Sequence, residues 1–274
     1  MFKGPYPLLC RGHSGGRLVC EAFIRNGIAM GQVHAERKDT DFFAITNPRI
    51  REIVLNAYQY SQATPEQQVY YQNLMRRCVE EYQQREIPPA GLFGWKMGIT
   101  LFTMPVVLDA FPAAKVIHLI RDGRDVMLSR LEARLGGLNL ADPVNKLVVF
   151  GDINVDSFAG QPLTPTTIAA HRNKLEMLHW VTAVRYGLQG RAYPDRYLEI
   201  KYEDICAEPI AAFKQIFDFI GINFKAATQQ WLLKTVHADK IGKWQTLAAE
   251  QLEPPLKIGE ALLRELGYLN SSIL

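Results

Sequence analysis

The chain has 274 residues, 48% of them hydrophobic and 22% charged, long enough to bury a sizeable core and ordinary for a soluble globular fold. A net charge of +3 gives no reason to expect nucleic acid as the main partner. Apolar runs such as Val116–Ile120 are cut by charge within a few residues, which excludes a membrane span.

Met1–Arg11 is too short for a secretory leader, so a cytoplasmic location is expected. Cys10, Cys20, Cys78 and Cys206 lack CxxC spacing and any His/Cys cluster, so reduced structural thiols and no metal site are expected. Pro7–Arg11 reads as a strand. A glycine-containing turn follows, then a helix carrying Leu18, Ala22, Phe23 and Ile28 on one face. Gln32–Ala44 is polar and reads as a loop.

Asn47–Ser61 and Pro65–Arg85 read as helices, capped by Asn47 and Thr64 with Pro48 and Pro65 at the first helical position. Leu92–Lys96 reads as a short strand, Ile99–Phe111 as an apolar helix, and Lys115–Ile120 as a strand running into a helix from about Arg124. Gly136–Leu163 lacks a period and is expected to be a long, lid-like loop. Thr164–Gln189 restarts as one long helix. Tyr197–Tyr202 is a strand, and Pro209–Ile220, Ala226–His237 and Leu256–Leu266 are helices, with Ala238–Glu250 irregular. Strands alternating with helices predict an α/β fold, one domain over 1–274 with a central parallel sheet flanked by helices.

Two turns carry anion-binding chemistry. RGHSGGRL (Arg11, Gly12, His13, Ser14, Gly15, Gly16, Arg17, Leu18) lies where a strand becomes a helix. Its glycines let backbone amides approach a ligand, and the helix start adds positive potential. Arg17 adds a forked donor and Ser14 a hydroxyl. It departs from the nucleoside-triphosphate loop GxxxxGK[ST], with Arg17 and Leu18 in the last two places. The second turn, Arg121–Asp125, follows a strand directly, at the sheet edge where ligands bind. Ser129 lies eight residues after Arg121, close to the same helix face, so the two side chains suit one phosphate. A capping Asp122 with solvated Arg124 and Asp125 is the plainer alternative. Two such turns suit a cofactor with phosphate at both ends.

KVIHLIRDGRDVMLSR, starting at Lys115, resembles the 3′-phosphate motif of sulfotransferases that use 3′-phosphoadenosine-5′-phosphosulfate (PAPS). RGHSGGRL is similar to that family's 5′-phosphosulfate loop, closest to a bacterial RGHSGTR form. The resemblance implies a P-loop-like three-layer sandwich, PAPS as sulfuryl donor without a metal, and a 3′-phosphate held by Arg121 and Ser129. KYEDICAEP resembles the segment whose tyrosine, here Tyr202, lies against the adenine. KIGKWQ is similar to the late cofactor-closing segment, which implicates Lys240 or Lys243 with Trp244.

GWKMGITLF resembles the strand end facing the acceptor, with Lys96 matching the family's lysine. Gly98 stands where cytosolic members place a catalytic histidine. His13 occupies a position usually Lys or Arg, so positive charge at the transferring group is expected from His13, Arg17 or Lys96. Several carbohydrate sulfotransferases use a carboxylate from the segment after the first helix, so the resemblance implies a base in Val33–Phe43, which holds His34, Glu36, Asp39 and Asp41, with Asp39 or Asp41 favoured. The expected reaction is sulfuryl transfer to a hydroxyl or amine of a small-molecule or glycan acceptor. Acceptor choice is expected to lie in Val33–Phe43 and Gly136–Leu163. The alternatives are a P-loop-type kinase and a non-catalytic nucleotide-binding protein. Trp180, His171 and His179 read as packing or surface polar groups, and Glu21 as a salt-bridge partner.

Overall fold

A computed structural model describes residues 4–133 and 137–269. The chain forms two compact units, one running to Ile120 and resuming over Gly187–Ala238, the other comprising Arg121–Tyr186 and the chain from Asp239 onward.

The first unit is built on a parallel sheet of β1 (Leu8–Cys10), β4 (Val116–Ile120) and β7 (Tyr197–Lys201), in the order β1-β4-β7. A separate parallel pair joins β2 (Ile28–Ala29) to β3 (Leu92–Phe93). Leu8 pairs with Ile117, Cys10 with Leu119, and Val116 with Tyr197. A middle strand covered on both faces has no solvent side, so β4 reads as an uninterrupted buried run, VIHLI. Its one polar member, His118, meets the Tyr197 hydroxyl through Nδ1 at 2.6 Å. Burial, with a smaller contribution from Arg191, drives the His118 pKa down to about 3, so the ring is held neutral.

Helix α1 (Gly16–Asn26) packs Val19, Ala22 and Phe23 into the core formed with the sheet. It stops at Gly27, whose φ of 98° is left-handed. Ile28 therefore belongs to β2 and not to this helix. In α10 (Pro209–Ile220), residues Ala212, Phe213, Ile216, Phe217 and Ile220 make one buried stripe, and Phe217 meets Phe23 with ring centroids 6.0 Å apart.

Between these lie α2 (Pro48–Leu55), α3 (Pro65–Glu86) and α4 (Met104–Ala110). Asn47 accepts the Arg49 amide, and Thr64 forms a reciprocal capping box with Gln67. Three predictions shorten here. Ala57–Gln62 and Gly98–Thr103 are 3-10 turns, and the strand at Leu92 ends at Phe93, leaving Lys96 one isolated bridge to Leu8. β7 leads into α9 (Tyr202–Ala207), and α11 (Ala226–Thr235) follows α10.

The second unit contains α5 (Gly123–Ala133), α6 (Pro143–Phe150), the hairpin β5 (Ser157–Phe158) and β6 (Gln161–Pro162), α7 (Pro165–Ala170), α8 (Arg172–Gly187) and α12 (Ala249–Glu265). The predicted lid-like loop thus holds a helix and a hairpin, although its first residue, Gly136, lies outside the described residues. Asp142 caps α6 by accepting the Val144 amide at 2.7 Å, and Gly151 ends it at φ 68°. The expected single helix over Thr164–Gln189 is two helices broken at His171. Helix α12 begins before Pro254 and Pro255 and continues through them. Leu262 and Leu263 are buried beyond them, and Gly259 lies against Met177, packing that offsets the lost hydrogen bonds.

The unit also buries a charge pair, with Arg130 Nε donating to Glu176 and His179 Nδ1 3.3 Å from the same guanidinium. All four cysteines are free thiols, with Cys206 part-exposed and the others buried. Burial raises the thiols of Cys20 and Cys78 to about 12. Among the described residues no helix is long and apolar enough to cross a membrane, and no His, Cys, Asp or Glu cluster could hold a metal ion.

Candidate functional site

In the first unit, β1 delivers the chain into RGHSGGRL. Arg11 is buried and its carbonyl accepts the Ser14 amide at 3.1 Å. His13 and Gly15 take left-handed φ of 74° and 88°, which turns the backbone sharply onto α1. Gly15 is the residue before the helix and offers no side-chain cap, and the first turn of α1 carries no acidic residue. The helix start therefore keeps its positive potential. Ser14 is 1% exposed, and its Oγ has no hydrogen-bond partner among the described residues. A buried hydroxyl without a partner costs about 1–3 kcal/mol, and an anion at the loop would supply the missing acceptor.

Two glycines here are required by their neighbours. A Cβ on Gly15 would fall 2.2 Å from the Tyr202 ring, and one on Gly16 would fall 2.6 Å from Cys10 Sγ and 2.9 Å from Lys96 Cε. Tyr202, the first residue of α9, thus lies close against the loop. The Lys96 stem crosses the start of α1. Arg17 is exposed at the first turn and Leu18 is half-buried. Gly98 also lies near the loop, its Cβ position 3.8 Å from the Gly12 amide nitrogen.

Lys96 is 8% exposed. Its Nζ donates to Asp39 Oδ1 at 2.6 Å and to the Arg37 carbonyl at 2.8 Å. Of the carboxylates in Val33–Phe43, Asp39 is the one brought to Lys96. Asp41 keeps a side chain 57% exposed, 3.9 Å from Arg37. His34 accepts the Glu36 and Arg37 amides at 3.3 Å each, and Glu21 bridges Arg25 and Lys38 at the surface. Sequence reasoning missed Thr40, which is fully buried. Its hydroxyl accepts the Lys96 amide and its own amide donates to the Lys96 carbonyl. A threonine in a polar stretch carries no signal of such a contact.

In the second unit, Arg121–Asp125 opens α5, and its charges are buried and paired. Asp122 accepts the Arg124 amide at 2.9 Å, as a cap would, and also holds the Arg124 guanidinium at 2.6 Å. The solvation of Arg124 and Asp125 that the plainer alternative required does not occur: they are 5% and 1% exposed. Arg124 stacks over Trp244 at 3.7 Å and donates to the Tyr268 carbonyl. Asp125 faces the Arg121 guanidinium at 3.3 Å and accepts the backbone amides of Gly242 and Trp244 at 2.8 and 3.0 Å. KIGKWQ is thereby fastened to α5 through its backbone.

Arg121 donates to the Lys240 carbonyl. The Lys240 and Lys243 side chains are both exposed, with the Lys240 ammonium on Asp239 at 2.6 Å. Ser129 stands part-exposed two turns along α5. Trp180 does more than fill space. Its indole nitrogen donates to the Arg121 carbonyl at 3.1 Å, and its ring occupies the place where a Gly123 side chain would sit.

A family model described as a sulfotransferase domain matches residues 103–253, and a second, described as the sulfotransferase family, matches 22–141. Carbohydrate sulfotransferase 3 of Mus musculus is 24% identical over 176 residues, 61% of this chain and 34% of the relative. The chain thus spans about a third of the length of the curated relatives it matches. The sulfotransferase domain of the Synechococcus PCC 7002 olefin synthase superposes with a TM-score of 0.53 at 19% identity, covering 95% of each chain. A mouse sulfotransferase complexed with PAP gives 0.55 at 12% identity, over 97% of this chain and 87% of that one. The fold is that of these P-loop-like α/β proteins, as the KVIHLIRDGRDVMLSR segment implies. With a model covering more than half of its residues, the chain belongs to the sulfotransferase family.

Proposed function

We propose that the protein transfers a sulfuryl group from PAPS to a hydroxyl or amine of a small-molecule or glycan acceptor, acting as a single sulfotransferase-like domain over 1–274. The observation that carries the reading is the amide-rich loop at the start of α1, with its partnerless Ser14 hydroxyl and Lys96 alongside, in a chain of this family. Amides at a helix start, a hydroxyl and an ammonium form a donor set suited to a phosphosulfate. Arg11–Leu18 would hold the 5′ end of the donor. Arg121 and Ser129 would hold the 3′-phosphate, Tyr202 and Trp244 would offer faces to the adenine, and Lys240 or Lys243 would add charge.

Bound PAPS supplies an activated sulfuryl group on a good leaving phosphate. The chain's own work is electrostatic and positional. Lys96, Arg17 and His13 would neutralise charge building on the leaving oxygen. Asp39 is better placed than Asp41 to take the acceptor's proton, because it already sits at Lys96.

Thermal unfolding with added nucleotide tests this. 3′,5′-adenosine diphosphate (PAP) should stabilise the protein by about 2.7 kcal/mol at a hundred times its Kd, with little response to ATP and magnesium. An equal or larger response to ATP–magnesium would favour a kinase and overturn the reading. PAP binding without transfer from labelled PAPS across a broad acceptor panel would favour a binding protein.

A further inference from the structure

One tight loop grips Lys96 at its main chain and its side chain together. The loop is closed by the His34 amide on the Asp39 carbonyl at 2.8 Å and the Lys38 amide on the His34 carbonyl at 2.9 Å. Val33 and Thr40 form a bridge across its base. Thr40 then uses every polar group of its side chain. Its Oγ1 accepts the Lys96 amide at 3.1 Å and donates to the Met30 carbonyl at 3.0 Å, while its own amide reaches the Lys96 carbonyl at 2.7 Å. One residue earlier, Asp39 takes the ammonium of the same lysine at 2.6 Å. The stem of that lysine lies close against Gly16, where an added Cβ would fall 2.9 Å from Lys96 Cε.

We propose that Asp39 and Thr40 form a clamp in which Thr40 fixes the Lys96 backbone and Asp39 holds the Lys96 ammonium in reserve. The anionic donor draws the ammonium off Asp39, and the released carboxylate becomes the base. This rests on the sulfotransferase reading and deepens it. In the transfer step the acceptor's proton passes to Asp39 and the acceptor heteroatom bonds to sulfur. The bond from sulfur to the 5′-phosphate oxygen breaks, and that oxygen leaves with the electron pair, neutralised by Lys96. Thr40 is a positioning residue, since it acts through Lys96.

The clamp makes binding and catalysis respond in opposite directions. Titration calorimetry with PAP should show Asp39→Asn binding about 10-fold more tightly than the wild type, because the ammonium no longer has to leave a carboxylate. Its kcat for transfer from PAPS should fall about 100-fold or more. Asp41→Asn removes a charge from the same loop without touching Lys96, so its gain in PAP affinity should be much smaller. Thr40→Val should lower kcat about 10-fold with little change in donor KM, and Thr40→Ser, which keeps the hydroxyl, should restore it.

Unchanged or weaker PAP binding by Asp39→Asn, or an equal gain in Asp41→Asn, overturns the clamp while leaving the enzyme reading intact. Equal losses in Thr40→Val and Thr40→Ser overturn the part assigned to the hydroxyl. A wild type that does not bind PAP overturns the functional reading itself, and the clamp with it.

Discussion

The two turns assigned above to the ends of the donor are built from opposite materials. The Arg11–Leu18 loop is mainly backbone: amides at the start of α1, left-handed His13 and Gly15, and a buried hydroxyl without a partner among the described residues. The Lys96 ammonium beside it comes from elsewhere in the unit and is tied to Asp39. The Arg121–Asp125 turn is mainly side chain. Its four charges are buried and paired with one another, with Trp244 and with backbone amides of the 240–246 segment. The first turn is shaped by what it lacks, and a Cβ added at Gly15 or Gly16 damages it. The second is shaped by pairing, and the loss of one partner damages it.

The sharpest test of that contrast is Arg121→Ala. It should cost about 100-fold in PAP affinity, close to the worth of a buried charged contact, while sparing 5′-AMP. Equal losses for the two nucleotides in calorimetry would deny Arg121 its 3′-phosphate. On the backbone side, Gly15→Ala places a Cβ against Tyr202 in a left-handed conformation. It should lower stability by about 2 kcal/mol in urea unfolding and weaken PAP and 5′-AMP alike. A loss confined to PAP would erase the distinction between the turns.

A third test concerns the sheet that carries the first turn. His118 has its folded pKa depressed to about 3 by burial, so the unfolded chain binds the extra proton. Stability should therefore be full above the unfolded value and fall as pH drops from about 6.5 toward 3, by up to ~1.4 kcal/mol per pH unit. Urea midpoints at pH 7 and pH 5 should separate more for the wild type than for His118→Asn. The smallest effect belongs to Trp180→Phe, which keeps the ring over Gly123 but loses the hydrogen bond to the Arg121 carbonyl. About 1 kcal/mol of stability and a few-fold in PAP affinity are expected. No change in PAP affinity would show that this contact supports only the fold.

What the sequence revealed follows the same division. The strand and helix either side of the RDGRD turn were legible because an unbroken apolar run, VIHLI, leads straight into it. Helices with local punctuation were legible too: Asn47-Pro48, Thr64-Pro65 and Pro209 mark their own starts. The start of α12 was hidden by Pro254 and Pro255, since its helix is held by packing at Gly259, Leu262 and Leu263. Helix α6 had local signals, Asp142-Pro143 and Gly151, obscured by the aperiodic stretch around it. The break at His171 had none. Asp39 and Lys96 were each picked out, yet their contact spans 57 residues of chain and nothing local encodes it. Thr40 and the anchoring of Gly242 and Trp244 by Asp125 are tertiary in the same way.

The unequal exposure of the thiols has a practical consequence. Cys10, Cys20 and Cys78 are buried with raised pKa values, so at neutral pH they stay protonated and resist alkylation. Cys206 is part-exposed and lies four residues after Tyr202 on α9, on the same helix face as the ring that covers Gly15. The native chain therefore carries a built-in attachment point for a maleimide dye, one helical turn from Tyr202. Fluorescence from that dye would report nucleotide arrival in real time without any engineered cysteine.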